Sequence, residues 1–383
     1  MSAPQDQDTR RAGARGLTRN NPAGLARSLR RAAAGAVCAA AVALPLIGAA
    51  SAQAATSAPH TLTSGWTSLA PQNGWFNYGN GTAAPAVTNI NGIVHLKGAI
   101  ATSGNNQVAF TLPVGDRPVT NVAVPVDLLG ATAGQLDITP SGVVTVFSEQ
   151  SWSNAQQFTG LDGASFAASG SSFTKLTLEN GWSNYGDGYA SPAARSSSGI
   201  VHFRGAIVTG GTDEVPFTLP AGLRPNHVAY VPVTLCGSNN GRLDIHPNGE
   251  VDVAAEGGTW SHAQCGVSLD GAWFAKSASL YTPLTLQNGW TSYGSGTTSP
   301  AVRKISGIVH LEGAMHDGSN PDAFILPAGF RPTHNVWVSV DTDLASRGHI
   351  LISPDGQVAV FAEGNITGNA TAFTSLDGVS FAP

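Results

Sequence analysis

Charged residues are scarce in this chain, and the scarcity excludes several classes of protein. Asp, Glu, Lys and Arg make up 11% of the 383 residues, methionine occurs twice and cysteine three times. No long segment has the hydrophobic period of an amphipathic helix, which argues against a helical bundle. No basic stripe is present after residue 54, so we do not expect that part of the chain to bind nucleic acid or anionic lipid through phosphate contacts.

Signatures of catalysis are also missing. The chain contains no G-x-S-x-G, HExxH, P-loop or Rossmann string. The aspartates of the closing turn, Asp162, Asp270 and Asp377, offer one carboxylate per copy, whereas acid–base hydrolysis of a glycoside needs two carboxylates at one site. We therefore predict a protein that is not an enzyme and has neither a cofactor nor a metal.

Repetition is what the sequence has in abundance. Asn-Gly-Trp begins at Asn73 and recurs at Asn180 and Asn288, which lie 107 and 108 residues further on. Gly-Ile-Val-His, Leu-Pro-x-Gly-x-Arg-Pro, Pro-x-Gly and Leu-Asp-Gly follow in the same order each time. Solenoid repeats run roughly 20–50 residues, so a period this long predicts complete domains. We define copy 1 as residues 61–168, copy 2 as 174–276 and copy 3 as 281–383.

Residues 1–54 do not belong to the repeats. Seven arginines lie between Arg10 and Arg31, and an uncharged, alanine-rich run then extends from Ala32 to Ala50. Small residues at Ala50-Ser51-Ala52 complete the pattern of a cleaved secretory signal peptide. We therefore predict a secreted protein with no stable membrane anchor. Sec export is favoured, and Arg30-Arg31 leaves twin-arginine export as the alternative.

Removal of the leader changes the charge and leaves two cysteines. Residues 55–383 contain 12 Lys and Arg against 22 Asp and Glu, a net charge of about −10. Cys236 and Cys265 both lie in copy 2, where an extracellular location predicts a disulfide. The corresponding residues of copy 1 are Leu129 and Gln157, so the crosslink is specific to copy 2.

Each copy has the pattern of an all-β fold. Short apolar runs alternate with glycine and proline turns, which predicts seven or eight strands and an antiparallel, jelly-roll-like β-sandwich. The segment from Ile200 to Ile207 alternates strictly: Val201 and Phe203 lie on one face, His202 and Arg204 on the other. The charged residues predict that the second face is half-solvated.

The recurrent aromatic residues are the best candidates for ligand binding. Flat rings beside a polar loop can stack on sugar rings, although a Trp that follows a turn can equally plug the end of a sandwich. The candidates are Trp75, Tyr78, Trp182, Tyr185, Trp290 and Tyr293. The loop arginines could grip a ligand carboxylate or pair internally with Asp162, Asp270 or Asp377. These arginines are Arg117, Arg224 and Arg331.

One histidine recurs in each copy, as His95, His202 and His310. A single histidine per domain is too few for a zinc site, so we predict a structural or solvent-facing role. The sharper alternative is an intrachain pseudo-trimer whose axis gathers all three imidazoles.

The motif order resembles the β-rich head and tip modules of tail-fibre and baseplate proteins from phages of Gram-positive bacteria. The resemblance covers residues 61–383, is carried by Gly-x-Val-x-Leu-x-Gly followed by Leu-Pro-x-Gly-x-Arg-Pro, and extends to modules in secreted actinomycete proteins. It implies a jelly-roll-like sandwich, adhesion to a surface saccharide, frequent trimeric assembly and no catalytic residues. This chain departs from the phage proteins in two ways. It has a predicted signal peptide, which phage fibres do not carry, and it has three heads where they usually have one per chain.

Together these observations predict a secreted, non-enzymatic, multivalent protein that binds extracellular carbohydrate or cell-wall polymer. Tethering of three weak sites would raise the affinity. A structural or envelope protein with no small ligand is one alternative, and a glycan hydrolase with its site between copies is another. The sequence leaves the ligand and the oligomeric state open.

Overall fold

The computed structural model describes residues 65–170, 172–363 and 367–383, and the predicted signal peptide lies outside these ranges. Antiparallel strands dominate the described chain, which confirms the all-β prediction. No helix among the described residues is long and apolar enough to cross a membrane. Three short helices, which the sequence pattern did not predict, each span six residues: α1 (Trp152–Gln157), α2 (Trp260–Cys265) and α3 (Thr367–Ala372).

The strands of copy 1 are β1 (Thr67–Ser68), β2 (Trp75–Asn77), β3 (Ala86–Ile90), β4 (Ile93–Lys97), β5 (Ala99–Thr102), β6 (Val108–Thr111), β7 (Val122–Asp127), β8 (Ala133–Ile138), β9 (Val143–Ser148), β10 (Thr159–Gly160) and β11 (Ser165–Ala167). The order β1-β3-β4-β11 forms one sheet. The orders β10-β5-β2 and β6-β9-β8-β7 form the other layer, where a bridge between Leu128 and Thr159 links them.

Copy 2 repeats this arrangement with a four-stranded sheet β12-β14-β15-β22 and a seven-stranded sheet β13-β16-β21-β18-β19-β20-β17. Its strands are β12 (Thr174–Lys175), β13 (Trp182–Asn184), β14 (Ala193–Ser197), β15 (Ile200–Arg204), β16 (Ala206–Thr209), β17 (Phe217–Thr218), β18 (Ala229–Leu235), β19 (Asn240–Ile245), β20 (Glu250–Ala255), β21 (Val267–Ser268) and β22 (Trp273–Ala275).

Copy 3 has the same two sheets, β23-β25-β26-β33 and β24-β27-β32-β29-β30-β31-β28. Its strands are β23 (Thr282–Pro283), β24 (Thr291–Ser292), β25 (Ala301–Ile305), β26 (Ile308–Glu312), β27 (Ala314–His316), β28 (Asp322–Ile325), β29 (Val336–Thr342), β30 (Ser346–Ile352), β31 (Gln357–Ala362), β32 (Thr374–Ser375) and β33 (Ser380–Phe381).

Each copy closes around its own hydrophobic core. Inward-facing residues from both sheets fill it, among them Phe110 and Phe166 in copy 1, Phe203 in copy 2 and Phe324 in copy 3. Every described sheet draws its strands from a single copy. This is the arrangement expected when alternating apolar residues of two facing sheets interdigitate.

The copies nevertheless pack against one another, and the described residues form one compact unit. Three equivalent backbone hydrogen bonds join the copies in cyclic order. Asn121 N–H donates to Gly188 O at 2.9 Å, Val228 N–H donates to Gly296 O at 2.9 Å, and Asn335 N–H donates to Gly81 O at 2.8 Å. Because the third bond returns from copy 3 to copy 1, the copies surround an approximate threefold axis. We call the three contacts junctions 1–2, 2–3 and 3–1.

The recurrent Leu-Asp-Gly turn lies within these junctions. Gly163 has φ +82°, and a Cβ there would lie 2.6 Å from Cγ1 of Val338 in copy 3, so only glycine fits this close approach. Asp377 accepts one hydrogen bond from the Gly313 amide of its own copy and another from the Tyr230 amide of copy 2, each at 3.2 Å. The turn motif therefore joins neighbouring copies, a role that the sequence pattern did not reveal.

The face predicted to be half-solvated is instead covered. Arg204 and Glu312 are buried, and so are His95 and His310, because the neighbouring copies pack over this face of the four-stranded sheets. Alternation along β15 correctly separates Val201 and Phe203 from His202 and Arg204. The prediction of solvent contact was wrong because it considered one copy in isolation.

Candidate binding sites

The candidate tryptophans lie inside the cores. Trp75, Trp182 and Trp290 are 4%, 5% and 4% exposed. Each indole N–H donates to a backbone carbonyl of its own copy, at Asn106, Asp213 and Asn320. The three rings therefore close the ends of the sandwiches, which was the structural alternative in the sequence, and Trp290 also lines a cavity within copy 3.

The candidate arginines also serve the fold. Nε of Arg117 donates to Leu112 O at 2.9 Å, and Arg224 and Arg331 bond to Leu219 O and Leu326 O at 2.8 Å. The sequence suggested that these arginines pair with Asp162, Asp270 and Asp377, and this prediction is wrong, because they bond to backbone carbonyls instead. These guanidinium groups anchor the loop carbonyls, whereas the carboxylates accept hydrogen bonds from Gly98, Gly205 and Gly313.

The three aspartates are buried at the junctions. Burial raises the pKa of Asp162, Asp270 and Asp377 to about 7, and the hydrogen bonds from the glycine amides oppose that rise. Water has little access to these groups, and each is engaged by backbone amides. These aspartates stabilise the contacts between copies, and they are poor candidates for acid–base chemistry.

The three histidines come together at one end of the axis. His95, His202 and His310 line a single narrow pocket, together with Ile93, Ile200 and Ile308 of the same strands. Burial lowers the pKa of His95 to about 4 and that of His310 to about 3, and it also lowers the pKa of His202. All three imidazoles are therefore neutral at neutral pH.

A second set of equivalent residues meets elsewhere along the copies' contact. Glu149, Glu256 and Glu363 are the one group of three potential ligand residues in the described chain whose ligand atoms lie within 4.8 Å of one another. Burial and the neighbouring Glu256 together raise the pKa of Glu149 and Glu363 to about 7, and Arg347 opposes the rise.

The tyrosines differ between copies, and the difference creates an open site. Tyr78 packs edge-on against Phe158 at 4.9 Å, and Tyr293 packs in the same way against Phe373 at 4.7 Å. Copy 2 has Gly266 at the position of these phenylalanines, immediately before β21. Tyr185 therefore has no phenylalanine over it and packs against Tyr189 at 5.4 Å instead.

A second replacement enlarges the same space from the side of copy 1. Ala123 pairs with Asp137 across β7 and β8, just as Tyr230 pairs with Asp244 across β18 and β19. The position that holds Tyr230 in copy 2 and Trp337 in copy 3 therefore holds only Ala123 in copy 1. Two large rings present at each of the other junctions are absent from junction 1–2.

The result is a pocket of about 170 Å³ between copies 1 and 2. We call it the 1–2 pocket. Its lining residues are Ala123, Gln135, Asp137, Tyr185, Tyr189, Ala206, Thr234, Leu235, Cys236, Gly237, Gly266, Val267 and Ser268. It combines two aromatic rings with an amide and a carboxylate, the mixture of surfaces that small polar ligands require.

Asp137 is the only charged residue among the described residues that line the 1–2 pocket. Burial raises the pKa of this carboxyl, and a hydrogen bond donated by Nε2 of Gln135 opposes that rise. One wall of the pocket is held by the Cys236–Cys265 disulfide, which confirms the predicted pairing.

A larger cavity of about 430 Å³ lies within copy 3. Trp290, Phe361 and Ala362 line it, and none of its described lining residues is charged. Trp152 and Trp260 begin α1 and α2 and pack on Trp75 and Trp182, whereas the first residue of α3 is a threonine. This cavity therefore offers an apolar volume but no charge to select a polar ligand.

Comparison with protein-family models, curated proteins and solved structures finds no match for the chain. The residues of the 1–2 pocket and the arrangement of the three copies are therefore the features that bear on function. Among the ligand-binding candidates selected from the sequence, Tyr185 alone lines that pocket, beside Cys236 of the predicted disulfide. Tyr189, Gln135 and Asp137 were missed, because no motif distinguishes them within a single copy.

Proposed function

We propose that the chain is a secreted, non-enzymatic protein that binds extracellular carbohydrate or cell-wall polymer. The observation that carries the proposal is the 1–2 pocket, where Tyr185 and Tyr189 meet Gln135 and Asp137. Aromatic rings present apolar faces to sugar C–H groups, and amide and carboxylate groups orient hydroxyls.

Two further features support the class of protein. Glycoside hydrolysis needs a pair of carboxylates, and Asp137 is the single one among the described lining residues. A disulfide suits an oxidising compartment, as does the predicted leader. The 1–2 pocket would provide one binding site per chain. Binding by all three copies stays a separate prediction from the sequence.

The test is binding of the secreted chain to an array of bacterial cell-wall polymers and soluble glycans, followed by calorimetric titration of each hit. We expect at least one saturable hit, with a binding affinity that Tyr189→Ala weakens about tenfold because it removes a stacking ring. Thr297→Ala is the matched control, since Thr297 is the copy 3 equivalent of Tyr189 and lies outside the pocket.

An array without hits would contradict the proposal and favour a structural envelope protein. Equal loss of affinity in Tyr189→Ala and in Thr297→Ala would also contradict it, because binding would then not depend on the pocket. Release of reducing sugar during the incubation would instead favour the hydrolase.

A further inference from the structure

At junction 2–3, an arginine side chain occupies the space that is open at junction 1–2. There, Arg242 extends from β19 and its guanidinium lies 4.8 Å from the ring of Tyr230 and 5.8 Å from that of Phe373. Its Nε donates to Asp244 at 2.6 Å, and Nη1 donates to Asp341 of copy 3 at 3.3 Å. The junction is closed by one cation held between aromatic faces and carboxylates.

Junction 1–2 keeps part of this cation site but lacks the cation. Asp137 occupies the position of Asp244, as the strand registers of β8 and β19 establish. Gln135 occupies the position of Arg242, and its shorter, neutral side chain reaches only as far as Asp137. One of the two carboxylates is therefore retained, Thr234 stands at the position of Asp341, and the guanidinium that neutralises the carboxylates at junction 2–3 is missing.

The aromatic component is also retained, although from different residues. Tyr230 and Phe373 are replaced by Ala123 and Gly266, but Tyr185 and Tyr189 line the pocket instead. A cation over the face of a tyrosine is attracted by the ring quadrupole, and a charge-assisted hydrogen bond to a carboxylate adds direction. An uncharged glutamine makes neither of these interactions with the strength of a guanidinium.

We propose that the 1–2 pocket binds an organic cation, a guanidinium or primary ammonium group, which pairs with Asp137 and packs on Tyr185 and Tyr189. The inference deepens the proposed function, because it names the chemical group that the pocket selects on a polymer. It does not require that the polymer be identified, and small cations can test it directly.

The experiment is an NMR titration of the full secreted chain with ¹³C-labelled tyrosine rings. The probes are methylguanidinium and its neutral isostere methylurea, and then glucosamine and its neutral counterpart N-acetylglucosamine. We expect the Tyr185 and Tyr189 signals to shift saturably with methylguanidinium. The apparent affinity for methylurea should be at least about tenfold lower. A response to glucosamine but not to N-acetylglucosamine would identify an amino sugar as one source of the cation.

Two variants connect the response to the pocket. Asp137→Asn keeps the shape and removes the charge, so the apparent affinity for methylguanidinium should fall about tenfold. Gln135→Arg supplies the missing guanidinium from the chain itself, so the titration should disappear. Asp244→Asn is the matched control, because it makes the same chemical change at junction 2–3, and the response should be unchanged.

Equal responses to methylguanidinium and methylurea would overturn the inference, as would an unchanged affinity in Asp137→Asn. If glycans bind through Tyr189 while no cation does, the proposed function stands and this inference fails. If cations bind but the polymer array gives no hit, the inference stands and the proposed polymer fails.

Discussion

Junctions 1–2 and 2–3 are built from the same repeated segments, yet one is open and the other is filled. Tyr230, Arg242 and Phe373 close junction 2–3 through cation–π contacts and hydrogen bonds, whereas Ala123, Gln135 and Gly266 leave junction 1–2 with a pocket of about 170 Å³. The disulfide lies in the wall of the open junction. The three copies thus share one fold, and the substitutions at Ala123, Gln135 and Gly266 leave a pocket at one of the junctions.

The largest expected effect comes from removing a buried side chain that joins copy 3 to both other copies. Arg347 of copy 3 donates to Asn240 of copy 2 at 2.9 Å and to the carbonyl of Val126 of copy 1 at 2.6 Å. Its side chain is 1% exposed. Arg347→Ala leaves those buried acceptors without their charged donor and removes the cation that opposes the raised pKa of Glu149 and Glu363, so we expect a loss of about 3–5 kcal/mol in the free energy of unfolding.

Urea denaturation measures this loss. Lys304→Ala is the control, because Lys304 is exposed and its removal should change the stability by less than about 0.5 kcal/mol. Equal stability of the Arg347 and Lys304 variants would mean that the junctions contribute little.

The next effect is the loss of the disulfide in the wall of junction 1–2. Cys236 and Cys265 are 29 residues apart, and a closed loop of this size restricts the unfolded chain by about 3.5 kcal/mol. The double variant Cys236→Ser, Cys265→Ser should lose that stability in thermal unfolding. A reducing agent should reproduce the loss in the parent chain and leave the double variant unchanged; sensitivity of the double variant would contradict the assignment.

A closed junction can be converted toward an open one. Phe158 packs between Tyr78 at 4.9 Å and Trp337 of copy 3 at 6.0 Å, and it is the equivalent of Gly266. We expect Phe158→Ala to cost about 3 kcal/mol and to open a cavity at junction 3–1, detected by binding of a small aromatic probe. Phe76→Ala, at a residue 51% exposed, is the control and should do neither.

The smallest effect depends on pH. Burial, together with Glu256 and Glu363, raises the pKa of Glu149 to about 7 from its ordinary value of 4.5, while Arg347 opposes the rise. Folding therefore favours the neutral acid, and stability falls as pH rises from about 4.5 to about 7. Glu149→Gln should stabilise the protein at pH 8, by on the order of 1 kcal/mol after allowance for solvent screening, and leave it unchanged at pH 4.

Thermal unfolding at the two pH values measures this difference. Glu179→Gln provides the control, because Glu179 is exposed in copy 2 and lies outside the cluster. A stabilisation by Glu149→Gln that is the same at both pH values would contradict the ionisation argument.

The sequence predicted what each copy does by itself. Alternation along β15, the Gly and Pro turns and the paired cysteines gave the sandwich and its disulfide correctly. The short helix α2 was missed, since six residues are too few to display a period. The sequence also offered the pseudo-trimer that gathers the three histidines, but it could not predict the 1–2 pocket, because Asp137 and Tyr189 are far apart in sequence and only the packing of copies 1 and 2 brings them together.

The phage-fibre resemblance and the multivalent function stay predictions. Avidity from flexible tethers would require copies that move independently, whereas the described copies share buried residues such as Arg347 and the Leu-Asp-Gly turns. Any gain from repetition would then come from a fixed spacing of the copies and from the pocket between two of them.

Differential scanning calorimetry of the secreted chain tests most directly whether three sandwiches act as one body. The junction contacts predict a single transition whose calorimetric and van't Hoff enthalpies agree for the whole described region. Three separable transitions, each matching an isolated copy, would contradict that account and return the protein to three tethered domains.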